Sequence, residues 1–164
     1  MKKTIKLVVS LVLLTLILMT ACSCFGVFET AQDKAKRMVG QYSKEEYYSS
    51  GGFQDYTDYA KYHYDKMPDF ESNKYFSAIT SSDIKTLNGY IDNFEQWISV
   101  ISPENEVVKN YNFDRSVITE SDYFYIYDKM GEPIGESTYE QFDYYDVYIF
   151  DTESCILYYF HNNI

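Results

Sequence analysis

The chain has 164 residues and a formal net charge of −11, from 25 Asp and Glu against 14 Lys and Arg. So acidic a surface argues against nucleic acid as a partner and against electrostatic docking on anionic lipid, because both call for clustered Lys and Arg. The length suits one domain with a sizeable core and no disulfide staples, and aromatic residues make up 19% of it, with 19 Tyr, 11 Phe and a single Trp97.

Lys2, Lys3 and Lys6 lead into an apolar run from Leu7 to Met19, which ends at the small-residue junction Thr20-Ala21-Cys22. This is the plan of a secretory signal peptide over residues 1–21. A membrane span needs roughly 20 apolar residues, and Lys6 blocks extension of the run toward the N-terminus. The junction Leu18-Met19-Thr20-Ala21-Cys22 resembles a bacterial lipobox, in which small residues precede a cysteine that is acylated before cleavage at its amino side. The resemblance implies a lipoprotein acylated at Cys22, with Cys24 as a poorer-fitting site. It also implies a lipidated tether over residues 22–28 and attachment to the extracytoplasmic face of the cell membrane. Two acyl chains anchor stably where one is marginal, each buried CH₂ contributing about 0.8 kcal/mol.

Removal of residues 1–21 takes away three lysines and moves the charge from −11 to −14. Beyond Cys22 the remaining cysteines are Cys24 and Cys155. An exported compartment permits a disulfide between them, but Cys155 opens the apolar run Cys155-Ile156-Leu157-Tyr158-Tyr159-Phe160, where a buried free thiol is the expectation.

Residues 29–164 are expected to form a single α+β domain. Ala31, Ala35, Met38, Val39 and Tyr42 follow helical spacing and predict a helix over 29–41. After the break at Ser49-Ser50-Gly51-Gly52, Phe53, Tyr56, Ala60, His63 and Met67 keep helical spacing up to Pro68, although the tyrosines of this stretch also suit a strand. A helical turn is expected over 75–79. The long helix runs from Asp83 to about Ile101, capped by Ser81 or Ser82, with Asp83 complementing its dipole and Ser102-Pro103 ending it. Its apolar positions Ile84, Leu87, Ile91, Phe94, Ile98 and Ile101 would make a coiled-coil seam, but Tyr90 and Trp97 widen the stripe into a core-packing face.

Aromatic and β-branched runs at 123–127, 146–150 and 155–160 predict strands. Asp151-Thr152-Glu153-Ser154 is hairpin length, too short for a parallel crossover, so the outcome is an antiparallel meander. In the last strand Cys155, Leu157 and Tyr159 face one side and Ile156, Tyr158 and Phe160 the other. Both faces are apolar enough to require cover, the long helix on one and the N-terminal helices on part of the other.

The stretches Asn93-Phe94-Glu95-Gln96-Trp97, Asp122-Tyr123-Phe124-Tyr125-Ile126, Gly131-Glu132-Pro133-Ile134-Gly135, Tyr145-Asp146-Val147-Tyr148 and Leu157-Tyr158-Tyr159-Phe160-His161-Asn162-Asn163-Ile164 resemble a module of bacterial proteins to which no activity is attached. The resemblance covers roughly residues 90–164 and assigns no functional residue. At the level of fold, the element order is similar to the NTF2-like cone, the alternative architecture, and neither likeness implies a function.

Little in the chain points to catalysis. His63 and His161 are the near-neutral proton carriers. Six residues of strand at roughly 3.3 Å each put Cys155 and His161 about 20 Å apart, too far for a dyad. His161, followed by Asn162-Asn163, is expected as an exposed strand-end residue, pairing with an Asp of another strand being the alternative. His63-Tyr64-Asp65 with Asp69 and Glu71, and the acids Asp143, Asp146 and Asp151, offer loose Ca²⁺ donors, but solvated charge is the expectation at both places and no metal or cofactor is assigned. No nucleophile elbow, phosphate loop or dinucleotide fingerprint occurs.

The resulting expectation is a non-enzymatic binding or interaction domain at the cell envelope. Its contact would be an envelope protein, taken up through exposed tyrosines, with Tyr139, Tyr144, Tyr145 and Tyr148 as the candidates. The rival is a glycan or small-molecule receptor, or a weak hydrolase. It predicts tyrosine hydroxyls and at least two carboxylates converging near His63 or His161, in a pocket between helices and sheet.

Overall fold

The computed structural model describes residues 29–52, 55–128 and 144–163. The chain divides into two compact units, Met1–Lys34 and Ala35–Ile164. The leader, Cys22, Cys24 and Tyr139 lie outside the described residues. In the first unit the described part is the start of a helix, where Thr30 Oγ1 accepts the Asp33 amide at 3.1 Å and donates to the Asp33 carboxylate at 2.8 Å. This helix, α1, spans Ala31–Met38. Among the described residues no helix is long and apolar enough to cross a membrane.

The second unit is α+β, built on a six-stranded antiparallel sheet. Its strands are β1 (Lys44–Ser49), β2 (Tyr56–His63), β3 (Ser77–Ala78), β4 (Tyr123–Asp128), β5 (Tyr144–Asp151) and β6 (Ile156–Asn163), in spatial order β1-β2-β6-β5-β4-β3. Between β3 and β4 lie the long helix α2 (Ser81–Val100), the short α3 (Glu106–Asn110) and a 3₁₀ turn over Arg115–Val117.

Three segments differ from the sequence expectation. Residues 56–63 form strand β2 and not a helix. The helical spacing of Tyr56, Ala60 and His63 coexists with a strand pattern that buries both faces, and pairing with β1 on one side and β6 on the other satisfies the backbone along its whole length. Residues 44–49, for which no element is predicted, pair with β2 as the edge strand β1, through a turn that Gly51 and Gly52 close at φ 72° and 140°. A Cβ on Gly52 would lie 2.3 Å from the Asp55 carbonyl oxygen, so both conformation and space require glycine there. Residues 77–78 extend along β4 in place of the expected helical turn.

The cap of the long helix lies one residue before the expected Ser81 or Ser82. Thr80 is the N-cap, and its amide donates to the Asp83 carboxylate at 2.9 Å. Leu87, Tyr90, Ile91, Phe94 and Ile98 form its buried stripe and join Tyr59, Tyr145, Val147, Ile149 and Phe160 of the sheet in one core. The hairpin between β5 and β6 turns over residues 152–155. Asp151 accepts the Glu153 and Ser154 amides at 2.9 and 3.3 Å, and Cys155 ends the turn at φ 55°. Cys155 is therefore a half-buried turn residue with a free thiol, not the buried first residue of the strand.

Strand alternation sorts the remaining side chains. The face away from α2 carries Tyr47, Asp58, Ala60, Tyr62, Leu157, Tyr159, His161, Asp146, Tyr148 and Phe150, related by cross-strand register. One end of it is apolar, where Phe70 packs against Phe150 and Tyr123 at 4.7 and 4.5 Å between ring centroids. The other end is polar.

Candidate functional site

At that polar end a row crosses three strands. Asp58 of β2 stands opposite His161 of β6, which stands opposite Asp146 of β5. All three are buried, with 3%, 4% and 1% of their surface exposed. His161 Nδ1 lies 2.7 Å from Asp146 Oδ1, and the same oxygen accepts the Tyr159 hydroxyl at 2.8 Å. Tyr47, from the edge strand, donates to Asp58 Oδ2 at 2.6 Å. Burial pushes both phenols well above their ordinary range, and the adjoining carboxylates push the same way, so each stays protonated as a donor.

The carboxylate at Nδ1 makes that nitrogen the protonated one, so in a neutral imidazole Nε2 carries a lone pair. His161 Nε2 and Asp58 Oδ1 are buried, and neither has a hydrogen-bond partner. Tyr56, Tyr144 and Tyr159 surround the imidazole at ring-centroid separations of 4.9, 5.5 and 6.2 Å. Two carboxylates, two phenols and an oriented imidazole thus meet on one sheet face.

His161 is consequently not the exposed strand-end residue expected from Asn162-Asn163. Docking of β2 along β6 carries Asp58 and Tyr56 beside it, and β5 supplies Asp146. The hairpin expectation already placed Asp146 and His161 on neighbouring strands. Asp58 could not be found the same way, because its strand reads equally well as helix.

The other predicted positions fall elsewhere. Tyr145 is fully buried on the opposite face, with its ring 5.0 Å from that of Tyr90 and its hydroxyl 3.1 Å from Asn93 Oδ1. Tyr148 is fully buried beside Tyr159, at 4.7 Å between centroids. Both are interior because β5 is covered on its two faces, so the exposure that made them contact candidates is absent. Tyr144 is half-buried and borders His161.

His63 pairs with Glu46 at 2.8 Å, where Lys44 and Lys61 also converge at 2.8 and 3.1 Å. Asp69 instead accepts the Ser72 hydroxyl at 2.6 Å. Among the described residues no group of three or more His, Cys, Asp or Glu is arranged to hold a metal ion. Hydrogen bonding to Lys44, then to Lys61 and His63, holds the Glu46 carboxyl down to about 2.

A group whose folded pKa is depressed contributes stability above its unfolded pKa of about 4.3 and loses it as pH falls through the folded value. Urea unfolding between pH 6 and pH 2 should therefore show a steeper acid loss for the native protein than for Glu46→Gln. Identical profiles would mean that the Glu46 cluster is not coupled to folding.

Compared with known protein families, curated proteins and solved structures, the chain matches none.

Proposed function

We propose that the chain is an exported, lipid-anchored domain at the cell envelope that binds a small polar ligand at the His161 row, and that it is a binding module, not an enzyme. The observation that carries the reading is a buried imidazole, oriented by Asp146, whose Nε2 has no hydrogen-bond partner beside an equally unpartnered Asp58 oxygen. Buried polar atoms are nearly always satisfied, and an orphaned pair lined by aromatic rings is the composition of a ligand site. The corresponding fold reading is the NTF2-like cone, supported by the order of one helix, a hairpin, a long helix and then three long antiparallel strands. The protein-contact reading keeps Tyr144 and Tyr139 as its candidates.

A second reading, a weak hydrolase, has one observation in its favour. A carboxylate on Nδ1 with Nε2 left open is the arrangement of a general base that could deprotonate water.

Both parts of the binding proposal are testable in the full chain. Cys22→Ser should release the protein from the membrane fraction after expression in a bacterial host. Retention in that fraction would remove the lipid anchor from the reading. In a thermal-shift screen of amines, sugars, polyols and carboxylates, at least one class should raise the Tm of the native protein and not that of His161→Gln. A screen in which no class separates the two proteins counts against the site.

A further inference from the structure

The chemistry of the row narrows the ligand class. We propose, resting on the binding reading above, that the site takes an organic amine in its ammonium form, with N–H groups donated to Asp58 Oδ1 and His161 Nε2. Asp58 Oδ1 is an acceptor, and so is Nε2 in the neutral imidazole. Asp58 already receives Tyr47 on its other oxygen, and His161 commits its Nδ1 proton to Asp146. What complements them is a group with more than one donor and no need of an acceptor, and an ammonium group has that inventory.

Charge points the same way. Asp58 is buried with one carboxylate oxygen unpartnered, and the alternate positions of β2 and β6 on its face, Tyr56, Ala60, Tyr62, Leu157, Tyr159 and His161, include no Lys or Arg. Buried carboxylates are stabilised by a cation, which a neutral polyol does not provide. The rings add to this. Tyr56, Tyr144 and Tyr159 lie around His161 at centroid separations of 4.9 to 6.2 Å, and aromatic rings attract cations. Tyr56 and Tyr144, on the same face, are half-buried.

Calorimetric titration of the detergent-solubilised full chain at 0.15 M salt tests the class, with putrescine, tetramethylammonium and glucose as probes. Putrescine should bind at one site. Tetramethylammonium, which has charge but no N–H, should bind at least about tenfold more weakly, and glucose should give no heat above dilution. Asp58→Asn should weaken putrescine by about tenfold or more, whereas Glu153→Gln, an exposed acid on the β5–β6 turn, should leave it unchanged. If Asp58→Asn fails to fold, Tyr47→Phe is the substitute: it frees the Asp58 oxygen from its donor and should tighten putrescine binding, and an unchanged or weaker affinity would overturn the proposal. Binding of glucose, dependent on His161, without binding of putrescine would overturn the amine class and leave the ligand site standing. Equal weakening by Asp58→Asn and Glu153→Gln would reduce the amine to a counter-ion of the acidic surface and overturn the proposal. Binding of none of the probes would overturn it too, and the thermal-shift screen then decides separately whether the row is a ligand site at all.

Discussion

Asp146→Ala lowers the stability of the domain by about 2–6 kcal/mol, because leaving each of two buried donors without its acceptor costs about 1–3 kcal/mol. Asp146 is 1% exposed, and its Oδ1 receives both His161 Nδ1 at 2.7 Å and the Tyr159 hydroxyl at 2.8 Å. Truncation leaves a buried imidazole N–H and a buried phenol without their acceptor, and water does not replace it without opening the sheet face. Urea unfolding followed by near-ultraviolet circular dichroism measures the loss directly, since tyrosine packing supplies the signal. A loss below about 1 kcal/mol would mean that water reaches the pair readily in the native state. Asp58→Asn is the informative contrast. It keeps an acceptor for Tyr47 and removes charge from a carboxylate whose Oδ1 has no partner, so stability should stay within about 1 kcal/mol of the native value or rise. Opposite signs at two neighbouring acids would separate the structural half of the row from the half held ready for a ligand. Natural sites often sacrifice stability in this way.

Phe94→Ala costs a similar amount, about 3–5 kcal/mol, by a different mechanism. Phe94 is fully buried in the middle of the α2 stripe, and its ring lies 5.4 Å from both Tyr111 and Phe160 and 6.4 Å from Tyr59. Those rings belong to the segment after α3, to β6 and to β2, so the benzyl group joins the helix to two strands and a connection at one point. Removing it opens a cavity that aromatic neighbours, having few rotamers, do not collapse to fill. Val100→Ala, at an exposed position on the same helix, should change stability by no more than about 0.5 kcal/mol. Thermal unfolding of the pair checks both. Comparable effects at the two positions would contradict a helix that packs through one stripe.

Residues 81–100 could be recognised as a helix from the chain alone because three signals agree there: apolar residues at steps of three and four, an acid in the first turn, and Ser102-Pro103 beyond the end. The last three strands were legible from their aromatic and β-branched runs and, for the last two, from the four-residue turn between them, and the two-sided character of residues 156–160 follows from their order in the chain. Residues 56–63 were not. Tyr56, Ala60 and His63 satisfy a helical period while Tyr56, Asp58, Ala60 and Tyr62 satisfy a strand period, and nothing local separates them. The partner decides: β6 offers a complete ladder of backbone hydrogen bonds on one side and β1 on the other.

That choice also creates the site. His161 and Asp146 lie near each other in any hairpin of the last two strands, but burial of the imidazole and the approach of Asp58 and Tyr47 depend on a hairpin more than a hundred residues away docking along β6. Local periodicity determines which segments are helix or strand when its signals agree. Only pairing between distant strands, which is a property of the backbone's need for hydrogen bonds and the core's need for cover, could decide which side chains meet at His161.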